Sequence, residues 1–237
     1  MSSNSKPAES AAAKGVDGLL RRSKTRIFHT DGLTFVTRGE AVARVFVDTN
    51  VLFPFSVMDL MLALTEDGVH EVLWTDALLD EWERVIVEEQ RRSPGSAARI
   101  TAAIRGFFPD SQVPASGYLH LVDDMPSLDL DDRQHIAAAV AGRAKWIITW
   151  NRRDFPDEPL GALGLRVTDP DAYLQELLAE VPGEVVATVV RLADEKRRPP
   201  LTAHDLAETL SKAGVPGFAT KLRHLLDVSA AAEDGPG

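Results

Sequence analysis

Residues 129–156 read DLDDRQHIAAAVAGRAKWIITWNRRDFP, and this stretch decides the fold. Acids between Asp129 and Asp132 stand just before Ile136–Val140, a helix of small residues rich in Ala. Asp131 and Asp132 sit where a helix N-cap would, and a carboxylate there also favours the macrodipole. Trp146-Ile147-Ile148-Thr149 follows as a continuous apolar run, the pattern of a strand covered on both faces. It runs out into Asn151 and Asp154.

The same alternation extends upstream. Val45-Phe46-Val47 is a second buried run and ends at Asp48. Pro54–Leu64 has helical spacing, Val72-Leu73-Trp74 reads as a strand, and Thr75 or Asp76 caps a helix carrying Leu78, Leu79, Trp82, Val85 and Ile86. A polar stretch through Pro94-Gly95-Ser96 leads to a helix over Ile100–Phe108. Leu119-His120-Leu121-Val122 reads as a further strand, and Leu165-Arg166-Val167 as a fifth. Strands alternating with helices imply an α/β fold, a central parallel sheet with helices on both faces. Ligands of such sheets lie beyond the carboxyl ends of the strands, where Asp48, Asn151 and Asp154 fall.

After Pro170 the pattern is purely helical: Asp171–Leu178, Glu184–Leu192, a break at Arg198-Pro199-Pro200, then Ala203–Lys212 behind a Thr202 N-cap. Gly214 stops that helix and Phe218–Leu226 forms the last. The expected organisation is an N-terminal extension over 1–43, a catalytic-type domain over 44–170, a small helical C-terminal extension over 171–230, and a disordered tail over 231–237. Residues 1 to about 20 read as disordered, and Ile27–Val36 as two short strands around Asp31-Gly32.

The chain has 237 residues, 44% of them hydrophobic, enough for one ordinary domain and a small second one. No apolar run is long enough to span a membrane and the N-terminus lacks a signal-peptide core, so a cytoplasmic protein is expected. The absence of cysteine excludes disulfides, thiolate metal sites and cysteine nucleophiles. The net charge of −10 counts against a nucleic-acid partner. Local basic clusters offset it: Arg21, Arg22, Lys24 and Arg26; Arg152 and Arg153; Lys196, Arg197 and Arg198.

Four separated acids carry the functional signal: Asp48, Glu81, Asp132 and Asp154. Singly, each has an ordinary role as a cap, a turn or a solvated helix residue. Together at one sheet edge they would repel one another, and a hard divalent cation removes that repulsion. Carboxylate-held Mg²⁺ or Mn²⁺ activates water and neutralises charge at phosphorus, the chemistry of phosphodiester cleavage. His135, alone beside the acids, reads as a helix-surface or interface residue. Phosphate-binding glycine loops and a nucleophile elbow are absent from the sequence.

With those residues in view, VFVDTNV at 45–51, LLDEWERV at 78–85 and the opening stretch resemble the motifs of PIN-domain ribonucleases. The resemblance covers roughly residues 44–170 and implies a compact three-layer α/β/α domain that cleaves RNA with Mg²⁺ or Mn²⁺. It most often implies a VapC-type toxin of a bacterial toxin–antitoxin pair, with a cognate antitoxin and a homodimer. The tail RRPPLTAHDLAETLSKAGVPGFATKLR resembles the extension of a longer VapC subgroup. Carried over by position, Asp48, Glu81, Asp132 and Asp154 are the metal ligands. Asn50, Thr149 and Asn151 support them, and Asp131 is the alternative to Asp132. Glu83 points to another helix face. An exposed Trp82 or the Met58–Met61 face would serve the dimer, though residues of both kinds are more often core. A non-catalytic binding module and a metal-dependent DNA nuclease are the competing readings.

Overall fold

The computed structural model describes residues 42–127 and 129–233. Four short strands, β1 (Arg44–Val47), β2 (Glu71–Leu73), β3 (Trp146–Ile148) and β4 (Arg166–Thr168), form one parallel sheet in the order β2-β1-β3-β4. Phe46 pairs with Ile147 and Leu73, so β1 and β3 are central. Every residue of β3 and the last three of β1 are buried. Successive strand residues face opposite ways, so this burial requires a cover on both sides and gives three layers.

The covering helices are α1 (Phe55–Glu66), α2 (Asp76–Glu88), α3 (Pro94–Phe107), α4 (Ala115–Tyr118), α5 (Leu130–Ala141) and α6 (Asp157–Ala162). The Thr75 hydroxyl caps α2 by accepting from the Leu78 N–H at 3.0 Å. The Asp129 carboxylate caps α5, accepting from the N–H groups of Asp131 and Asp132. The cap on α5 therefore lies two to three residues upstream of Asp131 and Asp132, the positions expected to hold it, which leaves their side chains uncommitted to that cap.

Two expectations fail here. Leu119–Asp124 is a 3-10 helix, not a strand. Leu119 and His120 are exposed while Tyr118 and Val122 are buried, a helical spacing hidden inside an apolar run. The sheet edge is extended instead by Gln112, which bridges to Trp74, with the Val113 N–H donating to the Trp74 carbonyl at 2.8 Å. The stretch expected as a linker at Pro94-Gly95-Ser96 is the first turn of α3, with Pro94 at a position that needs no N–H. Trp82, Met58 and Met61 are fully buried and offer no dimer face. The expected strands within 27–36, the early basic cluster and most of the tail lie outside the described residues.

The C-terminal helices are α7 (Pro170–Glu180), α8 (Pro182–Asp194), α9 (Ala203–Lys212) and α10 (Pro216–Glu233). They share one continuous apolar core with the sheet layer. Polar staples fix the joint. Arg191 on α8 donates through Nε and Nη2 to Asp67 Oδ2 at 3.0 and 2.9 Å, beside the Thr188 hydroxyl at 2.8 Å. Lys196 reaches Asp59 at 2.8 Å. His70 is buried between the Met61 carbonyl and the Tyr173 hydroxyl, each at 2.8 Å. A carbonyl only accepts, so Nε2 carries the proton and Tyr173 donates to Nδ1. Burial pushes the His70 pKa down to about 4, against the Met61 bond that favours the charged form.

Candidate active site

Asp48 is the first residue past β1, and its N–H donates to the Ile148 carbonyl at 2.9 Å. The ladder thus places its buried side chain at the carboxyl end of the two central strands. Asp48 precedes a 3-10 turn, Thr49–Leu52, yet its carboxylate caps nothing there. The Thr149 hydroxyl donates to Asp48 Oδ2 at 2.6 Å and the Asn50 amide donates to the same oxygen. Thr149 in turn accepts from the Asn50 amide at 3.2 Å and from the Asn151 N–H at 2.9 Å, and Asn50 Oδ1 accepts from the Trp150 N–H at 3.1 Å. These bonds tie the ends of β1 and β3 together around one carboxylate.

Glu81 comes from α2 and accepts from the Thr49 hydroxyl at 2.9 Å. Glu83, two positions on, turns away and accepts from Thr101 on α3. Asp132, in the first turn of α5, is half-buried with the Ser127 hydroxyl 3.4 Å from Oδ2, while Asp131 is exposed. Asp154 closes a 3-10 turn, Arg152–Asp154, and accepts from the Asn151 amide. All four acids line one cleft of about 840 Å³, and Asp129, Asp131, Asn50, Asn151, His135 and Arg153 line it with them. Thr149 stands behind that lining as the donor to Asp48.

His135 corrects the sequence reading. It is 7% exposed, not a surface residue, and lies between Asp48 and Glu81. Its Nδ1 is 3.5 Å from Asp48 Oδ1 and its Nε2 3.5 Å from Glu81 Oε2. The ring packs on Phe46 with centroids 5.5 Å apart. Both nitrogen contacts are long, and Nδ1 is buried without a hydrogen-bond partner among the described residues. Burial opposes a charge on this ring, but Asp48 and Glu81 outweigh it and push its pKa up to about 9. His135 in turn holds the Glu81 carboxyl below its ordinary value, against burial. The signal that could have found it is its spacing: His135 is three residues from Asp132, on the same helix face.

Asp132 shows the crowding directly. Its pKa is pushed up to about 6, first by burial and then by repulsion from Asp154, Asp129 and Asp48, with His135 pulling the other way. Carboxylates that disfavour each other's charge are the setting that a hard cation relieves. Among the described residues no three acid or imidazole side chains stand close enough to ligate a single ion as placed. A Mg²⁺-type cation keeps several waters and needs only one or two carboxylates. The all-oxygen acid set fits such an ion.

Comparison with known proteins agrees with this architecture. Residues 44–153 match the PIN domain family, and residues 170–224 match the family described as the VapC50 C-terminal domain. A protein of Mycobacterium tuberculosis (strain ATCC 25618 / H37Rv) named "Putative ribonuclease VapC50" is 35% identical over 111 residues. That match covers 47% of this chain and 64% of the relative, under two thirds of its length. No solved structure matches the chain. Residues 44–153 are therefore similar to the PIN domain family, and residues 170–224 to the VapC50 C-terminal domain that follows it in the chain.

Proposed function

We propose that this protein is a divalent-metal-dependent endoribonuclease and acts as the toxin of a bacterial toxin–antitoxin pair. The observation that carries the reading is the gathering of Asp48, Glu81, Asp132 and Asp154 from four separate elements onto one cleft. No structural economy explains a buried Asp48 that caps nothing while three polar groups are arranged around it. The name of the mycobacterial relative supports the same activity.

In this reading Asp48, Glu81, Asp132 and Asp154 hold Mg²⁺ or Mn²⁺. Bound there, the metal supplies an activated water and charge stabilisation at phosphorus. Asp48 is kept in one orientation by Thr149 and Asn50, and Asp154 by Asn151, as outer partners of metal ligands commonly are. Water adds to phosphorus, the bond to the 3′ oxygen breaks, and the products carry a 5′ phosphate and a 3′ hydroxyl. The PIN domain over 44–170 performs the cut, and a cognate antitoxin restrains it.

The test is cleavage of total bacterial RNA by the purified chain with Mn²⁺, beside Asp48→Ala and a chelator. Discrete fragments that vanish in both controls are expected. Cleavage that survives both would sink the reading. RNA binding with no cleavage under any divalent ion would mark a binding module, and cutting of a matched DNA strand alone would mark a DNA nuclease.

A further inference from the structure

Six carboxylates line the cleft, and among the described residues Arg153 is the one arginine or lysine that lines it with them. Its state is unusual for a cation beside so many acids. Arg153 is exposed and makes no ion pair among the described residues, whereas its neighbour Arg152 stands 3.4 Å from Asp157. The carboxylate next to it in sequence, Asp154, is engaged by the Asn151 amide instead. The backbone that carries Arg153 is fixed at both ends. The Asp154 N–H donates to the Asn151 carbonyl, the Phe155 N–H donates to the Arg152 carbonyl, and Phe155 is buried. An uncommitted guanidinium is thus held at the rim of an acidic cleft by an anchored turn.

We propose that Arg153 is a substrate-phosphate contact of this cleft, receiving a phosphodiester of the RNA chain next to the one being cut; this rests on the ribonuclease reading above. A polyanion approaching six carboxylates needs fixed positive charge along its path, since phosphate contacts dominate nucleic-acid affinity. The planar guanidinium fork matches two phosphate oxygens at once, which an ammonium does not. Its freedom from internal ion pairs leaves all its donors available. Its place one residue before Asp154 sets it beside the acid group and not within it, so it binds substrate while the acids act at the scissile bond.

The experiment uses the full chain and a fluorescein-labelled single-stranded RNA of mixed sequence. Anisotropy is read over a series of salt concentrations in an Asp48→Ala background, where the RNA stays whole. Arg153→Ala is expected to weaken binding about tenfold, the scale of one lost charge-assisted contact. The slope of log affinity against log salt should become shallower by roughly 0.7, the single-strand value per phosphate. Arg153→Lys should keep the slope and recover part of the affinity. In the active chain Arg153→Ala should raise KM more than it lowers kcat, with Mn²⁺ affinity unchanged. Equal affinity and equal slope for Arg153→Ala, in a sample with unaltered thermal unfolding, would overturn the assignment alone. Failure of the parent chain to bind RNA at any salt would overturn the ribonuclease reading and this assignment with it.

Discussion

Thr149 is fully buried and holds no charge, yet three interactions of the cleft pass through its hydroxyl. It donates to Asp48 and accepts from Asn50 and from the Asn151 N–H. Thr149→Val keeps the shape and removes the donor, so Asp48 loses one of its two side-chain hydrogen bonds. Metal affinity or activity should fall about 10- to 100-fold, as when other outer partners of metal ligands are removed, with the loss read by Mn²⁺ titration of a folded sample. At the opposite end of the sheet, His70 gives a pH prediction. Its folded pKa of about 4 lies below the ordinary 6.5, so the unfolded chain takes up the proton first between those values. Its contribution is complete above pH 6.5 and is lost as pH falls towards 4, by an amount on the order of 3 kcal/mol. His70→Gln should flatten that part of the stability curve in denaturant melts at stepped pH. Asp48, Asp132 and Asp154 were legible because each follows a strand or opens a helix, whereas Glu81, in the middle of α2, stood out only through the LLDEWERV resemblance. His135 was not, because its three-residue spacing from Asp132 suits a surface residue as well as a buried one, and its burial depends on Phe46 and Glu81, far away in sequence.

The elements divide in the same way. β1 and β3 declare themselves because they are covered on both faces, and α9 because its cap is written locally. Thr202 accepts from the Asp205 N–H while the Asp205 carboxylate accepts from the Thr202 N–H, a complete capping box. Thr202→Ala should cost about 1 kcal/mol in a thermal or urea melt. The 3-10 helix at Leu119–Asp124 was illegible because four residues with three apolar members fit a strand as well as a turn of helix, and the sheet contacts that decide lie elsewhere. Gly214 was expected as a helix stop and has φ +103, but it has a second role. A Cβ there would sit 3.1 and 3.2 Å from the Trp150 ring. Gly214→Ala combines backbone strain with this clash and should cost about 1–2 kcal/mol. A neutral result in a urea melt would show that Trp150 simply swings aside.

For the molecule as a whole, the open question from sequence was whether the C-terminal helices are a tethered appendage. Their shared core and the Arg191–Asp67–Thr188 staple make them part of one packed body. Arg191→Ala strands a half-buried Asp67 and also removes a 3.2 Å contact to Glu66 and a 2.9 Å contact to Glu195. A loss of about 1–3 kcal/mol is expected, in a single cooperative transition. Two separated transitions would mean the staple, and not the core, unites the halves. None of this was readable in the sequence, because Asp67 and Arg191 are each ordinary helix-end charges until the fold sets them together.

The position of Trp150 has an optical consequence. The chain has four tryptophans. Trp74, Trp82 and Trp146 are at most 5% exposed, while Trp150 is 38% exposed, one residue from Asn151 and against Gly214. Acrylamide should therefore quench mainly the emission of Trp150. The protein carries its own fluorophore at the seam between the cleft and the C-terminal helices, and anything that occupies the one or loosens the other will be visible in its native spectrum without a label.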